Sequence, residues 1–123
     1  MKEVEIKGRV IPLLFNTEAF MLTEQEVCLF KDFINEIQGK NGTEITIKMV
    51  RIMGNIALKE EGKKPVLTDK WLLANVPPMV LSDYKRAVVE AIAEGMNSEH
   101  KDSDDGERDL VLEELNKKKE QES

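Results

Sequence analysis

The residue types that perform nucleophilic or metal chemistry are scarce in this sequence. Its 123 residues include one histidine, His100, and one cysteine, Cys28. A nucleophilic hydroxyl or thiol needs a base held beside it, so any such pair would depend on His100. A structural zinc site of Cys and His ligands cannot be assembled within a chain that has one of each. The sequence therefore predicts no catalytic residue and no zinc site.

Both residues also have ordinary interpretations. Cys28 lies among Val27, Leu29 and Phe30, a setting in which a free thiol usually packs as a small apolar side chain. A reactive thiol near a helix N-terminus, with a lowered pKa, is the alternative. His100 lies in a polar stretch without partners to orient it, so we interpret it as a solvated residue.

The acidic run 102–107 (DSDDGE) has the carboxylates and the glycine of a calcium-binding EF-hand loop. The spacing does not fit, because placing Gly106 sixth puts Lys101 first and Leu112 twelfth, where carboxylate ligands are required. The sequence also lacks the phosphate-binding loop, the dinucleotide fingerprint and the zinc-protease motif. We therefore predict no cofactor and no enzymatic activity.

Composition is typical of one soluble domain, with 41% hydrophobic and 34% charged residues. No apolar run approaches the roughly 18 to 20 residues of a membrane span, and residues 1–5 lack the start of a secretory signal. A cytoplasmic protein without membrane association is expected. The net charge of −6 argues against nucleic-acid binding, since phosphates would be repelled on average.

The predicted elements begin with a hairpin. Residues 2–7 alternate, with Val4 and Ile6 on one face, and Gly8 permits a turn. Residues 10–15 are apolar enough for a second strand, in which Pro12, lacking an N–H, should direct its nitrogen away from the partner strand. An isolated hairpin is only marginally stable, so helices must cover one side.

Four to five helices are predicted to follow. Asn16 or Thr17 caps the first, and the capping-box sequence TEQE at Thr23 predicts a break there. Thr68 caps a short later helix, and the last helix of the body should end at Gly95. Helical apolar stripes comprise Val27, Phe30, Phe33, Ile34 and Ile37; Ile45, Met49, Ile52, Met53 and Ile56; and Leu81, Tyr84, Val88, Ala91 and Ile92.

The predicted fold class is α+β, mainly α. Residues 1–95 form the hairpin and helices, residues 96–107 a flexible acidic linker, and residues 108–123 an amphipathic helix with a charged tail.

Two apolar sets are candidate partner-binding residues. Methionine adapts to irregular binding surfaces, although methionines at helical spacing more often belong to the core. An apolar cluster beyond a polar linker either folds back on the body or enters a groove of a partner. The candidates are Met49, Met53, Leu110, Val111, Leu112 and Leu115.

The order of these features resembles the tail assembly chaperones of long-tailed phages and prophages of Gram-positive bacteria, in their short, unframeshifted form. The resembling stretches are residues 4–20 (VEIKGRVIPLLFNTEAF), 67–72 (LTDKWL) and 109–120 (DLVLEELNKKKE). The sequence departs from the family after Phe20, where TEQE replaces the Thr-Gly end expected of the first helix.

The resemblance implies a mostly helical, self-associating protein that binds the tape measure protein and keeps it soluble. It also implies that the chain helps to recruit the major tail tube protein, is absent from the mature tail and has no active site. Two alternatives come from other classes. One is a small regulatory adaptor that binds a protein partner, or nucleic acid through Lys48, Arg51 and Lys59, and the other is an enzyme that uses Cys28.

Overall fold

A two-stranded antiparallel hairpin followed by five α-helices makes up residues 1–97, the part of the chain that the computed structural model describes. This arrangement confirms the predicted α+β, mainly α class. Residues 98–107 of the predicted linker and the predicted helix over 108–123 lie outside the described residues. The elements are β1 (Glu3–Ile6), β2 (Arg9–Pro12), α1 (Thr17–Glu26), α2 (Phe33–Ile37), α3 (Gly42–Glu60), α4 (Asp69–Asn75) and α5 (Leu81–Met96), with 3₁₀ turns at Phe30–Asp32 and Pro78–Val80.

The hairpin turns at Lys7 and Gly8, which both have positive φ, as a tight two-residue connection requires. Its register pairs Val4 with Ile11, and both side chains are buried. The second strand ends at Pro12, earlier than the predicted residue 15.

Each outer edge of the hairpin has a backbone group that another strand cannot pair with. The Leu13 N–H donates to the Lys2 carbonyl, 2.8 Å away. Because hydrogen-bonded pairs alternate along an antiparallel ladder, Pro12 falls at a position whose nitrogen faces away from β1, as predicted. On the opposite edge, the Tyr84 hydroxyl of α5 donates to the Glu5 carbonyl.

Helix α1 begins as predicted and ends later than predicted. The Asn16 side chain caps it, accepting from the Ala19 N–H at 3.0 Å. The predicted break at Thr23 is wrong, because this side chain is fully buried and its hydroxyl donates to the Ala19 carbonyl one turn earlier, at 2.7 Å. A mid-helix threonine can satisfy its hydroxyl in this way without ending the helix. The chain leaves the helix only after Glu26.

Helix α3 is the centre of the fold and packs against β2, α1, α2, α4 and α5. All five residues of its predicted stripe are buried, which confirms that stripe as core. Within residues 1–97, no helix has the length and apolar character needed to cross a membrane.

Helix α5 ends at Met96, one residue beyond the predicted Gly95, and lies against the segment that leaves the hairpin. The approach is close at Gly95, where an added Cβ would lie 2.1 Å from the Phe15 carbonyl oxygen and 2.9 Å from the Phe15 Cβ. Only glycine allows this backbone contact.

We expect Gly95→Ala to lower the free energy of unfolding by up to about 2 kcal/mol. Separating α5 from Phe15 costs about 1–3 kcal/mol, as overpacked sites do, and the better helix propensity of alanine returns about 1 kcal/mol. Urea unfolding followed by circular dichroism measures the change. Gly39→Ala is the matched control, because its Cβ would meet no atom closer than 3.4 Å. Equal stability of the two variants would contradict the close contact.

Candidate functional site

All four phenylalanines of the chain form one cluster that joins the hairpin exit to the first helices. Ring centroids of Phe15 and Phe20 are 6.4 Å apart, and those of Phe20 and Phe30 are 4.9 Å apart. Phe33 stacks on Phe30 at 5.8 Å. Phe15 and Phe33 are buried, whereas Phe20 and Phe30 are half-buried. The cluster therefore continues from the core to the surface.

Two adjoining cavities lie where this cluster reaches the end of α5. Their volumes are about 460 and 210 Å³, and Leu14, Phe15 and Gly95 line both. We call the combined surface the α5 groove. Its other lining residues are Met1, Leu13, Asn16, Thr17, Phe20, Ala91, Glu94 and Met96.

The α5 groove is mainly apolar and open. Met96 is 53% exposed and Met1 72% exposed, so two adaptable side chains form parts of its rim. Among the polar side chains that line it within residues 1–97, Asn16 is already used as a helix cap, and Glu94 is the one carboxylate. A surface of this kind suits apolar side chains of a helix or an extended peptide, and the described residues that line it include no convergent polar groups for a reaction.

A third cavity, of about 400 Å³, lies between the start of α3 and α4. Three of its four charged lining groups are engaged within the protein: Lys48 lies 3.6 Å from Glu44, and Asp69 accepts from Arg51 at 2.6 Å, while Lys40 is the fourth. Because charges of both signs line the cavity, it does not present one sign of charge to a ligand.

The cations that would serve a nucleic-acid-binding adaptor are likewise paired. Arg51 donates to Glu26 and to Asp69, both at 2.6 Å, and so ties α3 to α1 and α4. Burial lowers the pKa of its guanidinium, but the hydrogen bonds and the negative charges of Glu26 and Asp69 together outweigh burial, and the net shift of this pKa is upward. Lys59 lies 2.7 Å from Glu18. With Lys48 also beside a carboxylate, this face of α3 is not a basic surface for phosphates.

The surroundings of Cys28 disfavour the thiolate form that a nucleophile requires. Burial raises the pKa of its thiol, and the nearby carboxylates Glu36, Asp32 and Glu24 raise it further. His100, the residue required as its base, lies outside the described residues. Within residues 1–97, no three His, Cys, Asp or Glu side chains are grouped so as to hold a metal ion.

The structure corrects one part of the predicted partner-binding set. Met49 and Met53 have no exposed surface, because both face the core from α3, so neither contacts a partner in this fold. Leu110, Val111, Leu112 and Leu115 lie outside the described residues, and their role stays a prediction.

Sequence reasoning missed the α5 groove. The feature of the sequence that pointed to it was the apolar run 10–15. This run continues past the end of β2 at Pro12, so that Leu14 and Phe15 lie outside the strand.

We expect Cys28 to react slowly with iodoacetamide, because a raised pKa leaves less thiolate at a given pH. The midpoint of its alkylation-rate profile should lie above that of free cysteine. Glu36→Gln should move this midpoint downward by removing a nearby negative charge, whereas Glu60→Gln is the control and should leave it in place. A midpoint below that of free cysteine would contradict this environment and favour the reactive-thiol alternative.

Comparisons with known proteins found no matching family model, no matching curated protein and no matching solved structure. The resemblance to tail assembly chaperones therefore rests on the sequence stretches that carry it. The features that bear on function within residues 1–97 are the apolar α5 groove, the paired cations of α3 and the unactivated thiol of Cys28.

Proposed function

We propose that the chain is a non-enzymatic tail assembly chaperone of a phage or prophage, in the short, unframeshifted form. In this role it associates with itself, binds the tape measure protein in the host cytoplasm, keeps that protein soluble and helps to recruit tail tube subunits. It is absent from the mature tail. The proposal is supported by the resembling stretches 4–20, 67–72 and 109–120 and by the α5 groove.

The α5 groove is the observation that carries the proposal. A tape measure protein is a long chain rich in apolar helices, and covering such a helix requires an apolar groove on a rigid support. The support is present: Gly95 contacts the Phe15 backbone, and the Leu14 N–H donates to the Met53 carbonyl of α3 at 3.3 Å. Met96 supplies an adaptable rim.

The nucleic-acid-binding adaptor is less well supported, because Lys48, Arg51 and Lys59 all lie beside carboxylates. A gel shift of duplex DNA that weakens steeply with salt would favour it over the chaperone.

The test is co-expression of the full chain with the tape measure protein of the same tail-gene cluster, followed by size exclusion with light scattering. We expect a soluble complex with the unsubstituted chain. Met96→Glu should weaken the complex about tenfold or more, equivalent to about 1.4 kcal/mol, because it places a charge in the apolar groove.

Met79→Glu is the matched control. Met79 is 91% exposed in the turn before α5 and does not line the groove, so its variant should bind normally. Absence of a complex, with the unsubstituted chain folded by circular dichroism, would contradict the proposed function. Equal effects of the two variants would contradict the groove as the binding surface.

A further inference from the structure

We propose that, in the free chain, the α5 groove is occupied by the chain's own segment 110–115 (LVLEEL). The docking itself does not depend on the chaperone function. It rests on that function in one respect, which is that the tape measure protein would have to displace this segment from the groove.

The chain leaves the body at the rim of the groove. Gly95 and Met96 line the groove, and Asn97, the next residue, closes the last turn of α5 by donating its N–H to the Ala93 carbonyl at 3.0 Å. The remainder of the chain, residues 98–123, therefore starts beside the uncovered apolar surface.

The length of chain between Asn97 and the segment is sufficient for it to return. Residues 98–109 are roughly 12 residues, with a maximum span of about 40 Å and a root-mean-square span of about 20 Å for an unstructured chain. A tether of this length gives an effective concentration of roughly millimolar. Micromolar neighbouring chains therefore compete poorly for the same groove.

The composition of residues 98–123 identifies the occupant. The apolar residues of this stretch are confined to one cluster, and the remainder are polar or charged, apart from Gly106. If a helix forms over 108–123, as the sequence predicts, Val111 and Leu115 lie one turn apart on one face. The cluster comprises Leu110, Val111, Leu112 and Leu115.

Paramagnetic relaxation in NMR tests the docking in the full chain. A nitroxide is attached through Lys117→Cys, two residues beyond Leu115, in a Cys28→Ser background. We expect the amide signals of Leu14, Phe15 and Phe20 to fall at least twofold relative to the sample with reduced nitroxide. The amide of Leu73, which lines the third cavity, should keep its intensity.

The matched control carries the same label with Leu110, Leu112 and Leu115 all changed to Ser. Its linker is unchanged, so random approach of the label remains while apolar docking is lost, and the signals of Leu14 and Phe15 should recover. Equal attenuation with and without the leucines would overturn the proposal, as would no attenuation in either chain.

Mixed samples distinguish docking within one chain from exchange between two. Isotope-labelled chains without nitroxide are mixed with unlabelled chains that carry it, and we expect no attenuation. Attenuation in the mixture would assign the groove to the segment of a second copy and overturn the proposal. Attenuation within one chain, combined with no tape measure complex, would retain the docking and reject the chaperone function. A tape measure complex without attenuation within one chain would retain the chaperone function and reject the docking.

Discussion

The described fold depends on the burial of α3 by its neighbours. Of its 19 residues, 11 are buried, which is more than the single stripe of a surface helix. The hairpin approaches this helix closely at Gly54, where an added Cβ would lie 2.9 Å from Ile11 Cγ2 and 2.6 Å from Leu67 Cδ1. Since β2, α1, α2, α4 and α5 all pack on the same helix, displacing α3 would remove the support of each of them.

This central position limits the apolar surface that α3 exposes. A helix enclosed in this way has little apolar surface left for binding, and the methionines of α3 are consumed by the core. Of its cations, Arg51 and Lys59 join α3 to α1 and α4, and Lys48 pairs with Glu44 within the helix. Exposed apolar side chains lie instead at the periphery: some line the α5 groove, where the exit of the hairpin meets the end of α5, and others, such as Leu29, Leu73 and Met79, lie apart from it. The α5 groove thus combines Phe15 and Gly95, which are distant in sequence.

The sequence was most informative where structure depends on local chemistry. The caps were predicted as Asn16 or Thr17 and as Thr68, because such side chains accept from first-turn N–H groups. The structure has Asn16 and Thr68 in these roles, each accepting from an N–H three residues ahead. The predicted break at Thr23 was wrong, since a threonine hydroxyl can either cap a helix or donate to a carbonyl within one. Here the hydroxyl donates within α1, and the side chain is buried against Met49, whose sulfur is 3.5 Å away. The α5 groove could not be predicted, because the approach of Gly95 to Phe15 depends on the packing of the whole body.

The two outer edges of the hairpin bear on whether another strand can pair with this sheet. A free strand edge presents unpaired backbone groups on which another extended chain can polymerise. Here the Tyr84 hydroxyl occupies the Glu5 carbonyl on one edge, and Pro12 removes a donor from the other. Recruitment of β-structure from a neighbouring polypeptide is discouraged at both margins. This two-stranded sheet therefore offers an incomplete set of backbone partners to a further strand on either side.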